Sequence, residues 1–98
     1  MWLAPVQARV LPIADRHAGY AAQVRDELRG AGVRAELDER SESVGRKIRD
    51  AELAKVPFML VVGDEEERAA GVSVRRHGEG DLGLMQLGEL ADRIGSGA

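Results

Sequence analysis

Cysteine is absent from the 98-residue chain, which removes disulfide scaffolds, thiolate zinc sites and thiol catalysis together. Aromatic residues are nearly as scarce, at 3%, which argues against a stacking platform that binds single strands regardless of sequence. Surplus positive charge is also lacking: the net charge is −3, against generic phosphate-backbone binding. The longest apolar run, Phe58 to Val62, is far short of a membrane span. Met1-Trp2-Leu3-Ala4-Pro5 has neither the basic nor the apolar region of a secretory signal, so a soluble, cytoplasmic domain is expected. What is present is a globular balance of 44% hydrophobic and 32% charged residues. A chain of this length supports one compact domain with a modest core and little room for a deep catalytic cleft.

The charge is unevenly spread. Residues 40–55 hold Arg40, Arg46, Lys47, Arg49 and Lys55 against Glu42, Asp50 and Glu52, a local excess of two positive charges, whereas both flanks are net acidic. A solvated helix face with internal ion pairs accounts for such a run. Any anionic partner is nevertheless expected at this segment.

Val6 to Ile13 alternates and then turns apolar, which predicts a strand ending at Pro12. Asp15 is placed to cap a helix whose stripe is Tyr20, Val24, Leu28 and Ala31, stopped by Gly30 and Gly32. Val33, Ala35 and Leu37 alternate as a second strand. Ser41 or Ser43 can cap a second helix with Val44, Ile48 and Ala51 inward. Phe58 to Val62 reads as a strand covered on both faces, closed by Gly63-Asp64, and Glu65 to Ala70 as a polar connection. Val72 and Val74 mark a fourth strand and Leu82 to Met85 a short fifth. Leu87, Leu90, Ala91 and Ile94 mark a last helix, with 95–98 expected to fray. This order predicts a layered α/β domain over residues 6–94, its first three strands parallel through right-handed crossovers.

Individual motifs carry little chemistry. Gly78-Glu79-Gly80-Asp81-Leu82-Gly83 has G-x-G-x-x-G spacing, but too little chain follows for a βαβ unit, so a turn between strands is expected. A small-molecule domain using these glycines is an alternative that nucleotide titration would test. His17 and His77 are far apart in sequence, define no metal-ligand spacing and read as exposed histidines. Glu65-Glu66-Glu67 reads as a solvated loop, or as a source of one carboxylate accepting from a base amino or imino group. Ser41, Ser43, Ser73 and Ser96 lack the context of a catalytic serine. Arg75, opposite in direction to Val72 and Val74, is either a charge guarding an edge strand or a guanidinium fork for a phosphate or base edge.

Longer stretches are more specific. Pro5-Val6-Gln7, "DRH" at 15–17, "GVRAELDERSESVGRKIRDAELAKVPFMLVVGDEEE" at 32–67 and "GVSVRRHGEGDLGLMQLGEL" at 71–90 resemble the C-terminal anticodon-binding domain of class II threonyl-tRNA synthetases, across roughly positions 2–94. The resemblance implies a three-layer α/β/α fold around a five-stranded mixed sheet with an antiparallel fourth strand. Carried over by motif, it implies RNA-binding roles for Ser41, Arg49, Glu66 and Arg75, with Arg46 and Lys47 as supporting positioning contacts. Ser41 replaces the family's Asn, offering a hydroxyl where an amide presents both donor and acceptor, and Glu65 replaces a Lys.

The resemblance further implies that threonine tRNA is the partner, read at its second and third anticodon bases, G and U. Aminoacylation, with ATP, magnesium and zinc, would belong to an upstream catalytic domain. The chain itself would then have no catalytic residues, metal or cofactor, and would be a monomer. Residues 1–5 resemble an interdomain junction, as in a piece of a longer chain. A stand-alone paralogue or accessory interaction module of the same fold is the alternative, because fold does not fix function.

Overall fold

The computed structural model describes the backbone of residues 6–97 and the side chains of 6–94; the expected junction at 1–5 lies outside the described residues. The elements follow the hydrophobic pattern: β1 (Ala8–Pro12), α1 (Ala18–Gly30), β2 (Ala35–Leu37), α2 (Val44–Leu53), β3 (Phe58–Val62), α3 (Asp64–Ala69), β4 (Gly71–Arg76), β5 (Gly80–Gln86) and α4 (Leu87–Gly97). Ala98 lies outside the described residues, and the helix persists through part of the tail expected to fray. The sheet order is β2-β1-β3-β4-β5, with β1 parallel to β2 and β3, and β4 antiparallel to both neighbours. No helix among the described residues is long and apolar enough to cross a membrane.

Strand alternation divides the core between two layers. One face carries Ala8, Val10, Phe58, Leu60, Val62, Val72 and Val74 against Ala21, Val24 and Leu28 of α1 and Leu90 and Ile94 of α4. The other carries Leu11 and Met59 against Ala51, with Val44 and Ile48 of α2 and Val61 packed around them. The expected three-layer α/β/α fold with a five-stranded mixed sheet is therefore present. Ser43 is the residue that caps α2, its Oγ accepting from the Arg46 backbone N–H at 3.2 Å.

Four local expectations change. The polar connection expected at Glu65 to Ala70 is instead a short helix, α3, that begins at Asp64 and ends at Ala69. Its first turn, Asp64 to Glu67, is entirely acidic, a favourable charge where helix N–H groups are free, and left-handed Ala70 ends it. Asp15 does not cap α1; it lies in a 3-10 turn, Asp15–His17, that runs directly into the helix. β4 is an inner strand with β5 at the edge, so Arg75 is not an edge guard. His17 is buried at 2% exposure rather than exposed, because this turn packs it against the start of α3.

The β4–β5 ladder contains a β-bulge. Val74 faces Gly83 and Arg75 faces Asp81, leaving Leu82 as an extra residue. Gly83 sits at φ +89°, which a side chain would resist. Leu82 and Met85 can consequently both pack against the α1–α4 core, while Leu84 turns outward. Gly78 lies in the preceding turn, as expected of the glycine motif.

Candidate nucleic-acid interface

α2 packs on β1 and β3, and the same face continues over β4 and β5 without a comparable apolar cover among the described residues. There the alternation of Val72-Ser73-Val74-Arg75 brings Ser73 and Arg75 out beside Val61 and Met59, and Leu84 pairs with Ser73 at 53% exposure.

Glu66 is set into the end of this face. It is the third residue of α3 and only 8% exposed. One carboxylate oxygen, Oε1, accepts from the Gly63 backbone N–H at 2.8 Å; the other, Oε2, accepts from Ser73 Oγ at 2.6 Å. A buried carboxylate requires such donors. Gly63 is constrained by this arrangement: a Cβ there would lie 2.6 Å from Ile13 Cδ1 and 3.2 Å from Glu66 Oε1. The start of α3 is anchored from the other side by His17. Its Nδ1 accepts from the Ala14 N–H at 3.1 Å, so Nε2 carries the proton and donates to Asp64 Oδ1 at 2.7 Å. Arg16 adds a two-pronged contact to Asp64, Nη2 to Oδ2 at 2.7 Å and Nε to Oδ1 at 3.2 Å. Arg16 foremost, and then His17, hold the Asp64 carboxyl well below the usual carboxylate range.

Arg75 lies two residues beyond Ser73 on β4, about 7 Å along the strand. Its Nε is buried with no hydrogen-bond partner among the described residues. Adjacent Arg76 differs: it turns to the other face, stacks 5.3 Å from the Phe58 ring centre and pairs with Glu79 at 3.5 Å.

The basic segment divides in the same way. Buried Asp38 accepts from Arg40 Nε at 2.9 Å and Nη2 at 2.8 Å, while Arg40 Nη1 reaches Asp50 at 2.9 Å. Hydrogen bonding from Arg40 outweighs burial and lowers the Asp38 pKa. Arg40 therefore braces the loop in which Ser41 is exposed. Arg46 stands at 3.9 Å from Asp50. Lys47 departs from the expected RNA-contact role. It is 4% exposed and its Nζ donates to the Pro12 carbonyl at 3.1 Å, so its ammonium is used inside the fold. Arg49 is exposed and makes no ion pair among the described residues; it lies one turn from Arg46 and lines a shallow depression with Arg46, Asp50 and Leu53.

Glu66 and Arg75 thus share one sheet face, with Arg49 on the adjoining helix and Ser41 in the loop leading into it. No hydrogen bond or ion pair among the described residues links any two of these four. Ser73, whose hydroxyl holds Glu66, is the residue of this face that sequence reasoning missed. The signal was the alternation itself, which puts it on the Arg75 face.

The family model described as "Anticodon binding domain" matches residues 7–96. The chain is 54% identical over 94 residues to the threonine–tRNA ligase of Prosthecochloris aestuarii, covering 96% of this chain and 14% of that protein. It is 60% identical over 90 residues to the threonine–tRNA ligase of Symbiobacterium thermophilum, covering 92% and 14%. It thus spans about one-seventh of the length of these curated relatives. Among solved structures, the RNA-binding domain of threonyl-tRNA synthetase from Cryptosporidium parvum Iowa II superposes with a TM-score of 0.88 at 32% identity, over 97% of this chain and 24% of that one. Histidyl-tRNA synthetase from Nostoc sp. PCC 7120 shares the fold with a TM-score of 0.87 at 22% identity, over 95% of this chain and 22% of that one.

Proposed function

The chain belongs to the anticodon-binding domain family, and from that premise we propose that it serves a threonine–tRNA ligase by binding the anticodon loop of threonine tRNA and reading its second and third bases, G and U. The observation that carries this reading is Glu66, an enclosed carboxylate held by two protein donors, on the same face as Arg75, whose Nε has no partner among the described residues. Splayed loop bases are read on their Watson–Crick edges. Glu66 accepts from base N–H groups, and Arg75 donates to base carbonyl oxygens. Arg49, with Arg46, positions the loop through its phosphates. Ser41 makes a single-hydroxyl contact from the β2–α2 loop. The working partner is the ligase's catalytic domain, where aminoacylation takes place. The chain acts without a cofactor or catalysis of its own, as a monomer in the cytoplasm.

The test is binding to a threonine anticodon stem-loop at low salt, against hairpins with the second or third anticodon base changed. Preference for the threonine sequence, lost in Glu66→Ala and Arg75→Ala, is the expected result. Equal weak binding to all hairpins would overturn base reading and leave an accessory interaction module of this fold.

A further inference from the structure

Resting on that reading, we infer that Ser73 is a positioning residue that turns Glu66 into a guanine-selective acceptor. The carboxylate is planar, and its two oxygens are held separately, Oε1 by the Gly63 N–H at 2.8 Å and Oε2 by the Ser73 hydroxyl at 2.6 Å. Two fixed points set the plane of the group. Gly63 belongs to the α3 cap and Ser73 to the middle of β4, where it pairs with Val61 and Leu84. The plane is therefore referenced to the sheet as well as to the helix that carries Glu66.

The polarity follows from the donor inventory. Ser73 has one proton, and it is committed to Glu66, so the hydroxyl offers only lone pairs to an incoming group. Glu66, as a carboxylate, likewise offers only lone pairs. The pair is an array of acceptors, and its complement is a base edge with adjacent donors. Guanine has such an edge in N1–H and its exocyclic amino group. Adenine, cytosine and uracil each place an acceptor beside their Watson–Crick donor, which would face a carboxylate lone pair. Without the Ser73 hydroxyl, Oε2 loses its tether to the sheet, and the carboxylate can rotate towards mixed donor–acceptor edges.

The experiment measures discrimination between two hairpins that differ only in G or A at the second anticodon position, using the full 98-residue chain. Wild type is compared with Ser73→Ala, Ser73→Thr, Ser73→Val and Glu66→Ala. Both hairpins are titrated on the same protein sample, so a loss of folded fraction cancels from the ratio. The expected result is a G-over-A ratio reduced about tenfold in Ser73→Ala and Ser73→Val, the size expected for one hydrogen bond to a charged group, and restored in Ser73→Thr. The Thr and Val variants match in shape and differ in the hydroxyl, so this pair decides the matter even where Ser73→Ala unfolds. A ratio that stays at the wild-type value in Ser73→Val while Glu66→Ala abolishes it would overturn the role of Ser73 and leave base reading by Glu66 standing. A ratio unmoved by Glu66→Ala would overturn both. Equal loss in Ser73→Thr and Ser73→Val would also overturn the inference, since the hydroxyl would then not be the active part.

Discussion

The two faces of β4 are built from one strand and put to opposite uses. On the α1–α4 side Val72, Val74, Leu60 and Val62 are fully buried. On the α2 side the neighbouring residues of β4 are Ser73 and Arg75, one holding a carboxylate in place and the other carrying a buried nitrogen without a partner among the described residues. Alternation lets a single strand place its stability in the even positions and its recognition chemistry in the odd ones. Within β4, a substitution should therefore damage stability or binding according to the parity of its position, whereas on β1 and β3 both faces are core because α2 covers Leu11 and Met59.

Leu60→Ala is the largest expected break in that comparison. It removes a fully buried side chain and should lower the unfolding free energy by about 2–5 kcal/mol, measured by denaturant titration. The fraction still folded should keep the wild-type preference among hairpins. Arg75→Ala tests the opposite parity. Hairpin affinity should fall tenfold or more, while stability changes by less than about 1 kcal/mol because no internal hydrogen bond to Nε is lost.

A second pair sharpens the division within α2. Lys47→Met should cost about 1–2 kcal/mol, since the Pro12 carbonyl loses its buried donor, and leave hairpin binding unchanged. Arg49→Ala should do the reverse, weakening all hairpins alike and reducing the steepness of their salt dependence. RNA binding lost in Lys47→Met at unchanged stability would return Lys47 to the contact role that its burial removes.

Acid provides a smaller effect. Asp64 is held below the ordinary carboxylate range foremost by Arg16, and Asp38 is lowered foremost by Arg40. A folded-state pKa below the unfolded value contributes stability that is fully present above the unfolded value and is lost as pH falls through the folded one. Stability should therefore decline below about pH 4, the ordinary carboxylate value. Replacing Asp64 with Asn should flatten that decline in acid denaturation monitored by circular dichroism.

Much of this division was legible in the sequence. The unbroken run at 58–62, the inward stripe Val44, Ile48 and Ala51, and the alternating 72–75 segment fix which residues are core, because burial follows the period of the element. Resemblance then supplied the candidates Ser41, Arg49, Glu66 and Arg75, and the fold brings Glu66 and Arg75 to one face. What escaped depends on contacts distant in sequence or on elements too short to show a period. α3 has 6 residues, less than two turns. His17 is buried by a partner 47 positions away, and Lys47 by a carbonyl 35 positions away, relations that no local pattern encodes. Ser73 meets Glu66 from a different element, and a hydroxyl that orients a carboxylate in this way leaves no local motif.

The bulge at Leu82 has a consequence for the geometry of the open face. Ser73 pairs with Leu84 on one side of it and Arg75 with Asp81 on the other, and removing a single residue between them would leave both pairings intact. The extra residue is thus a shim rather than a change of thread: it alters the bend of the hairpin without altering its connectivity. The two halves of the surface, the one around Glu66 and the one around Arg75, meet at an angle adjusted by one peptide unit. Chain length at this point can retune their convergence while every contacting side chain stays the same.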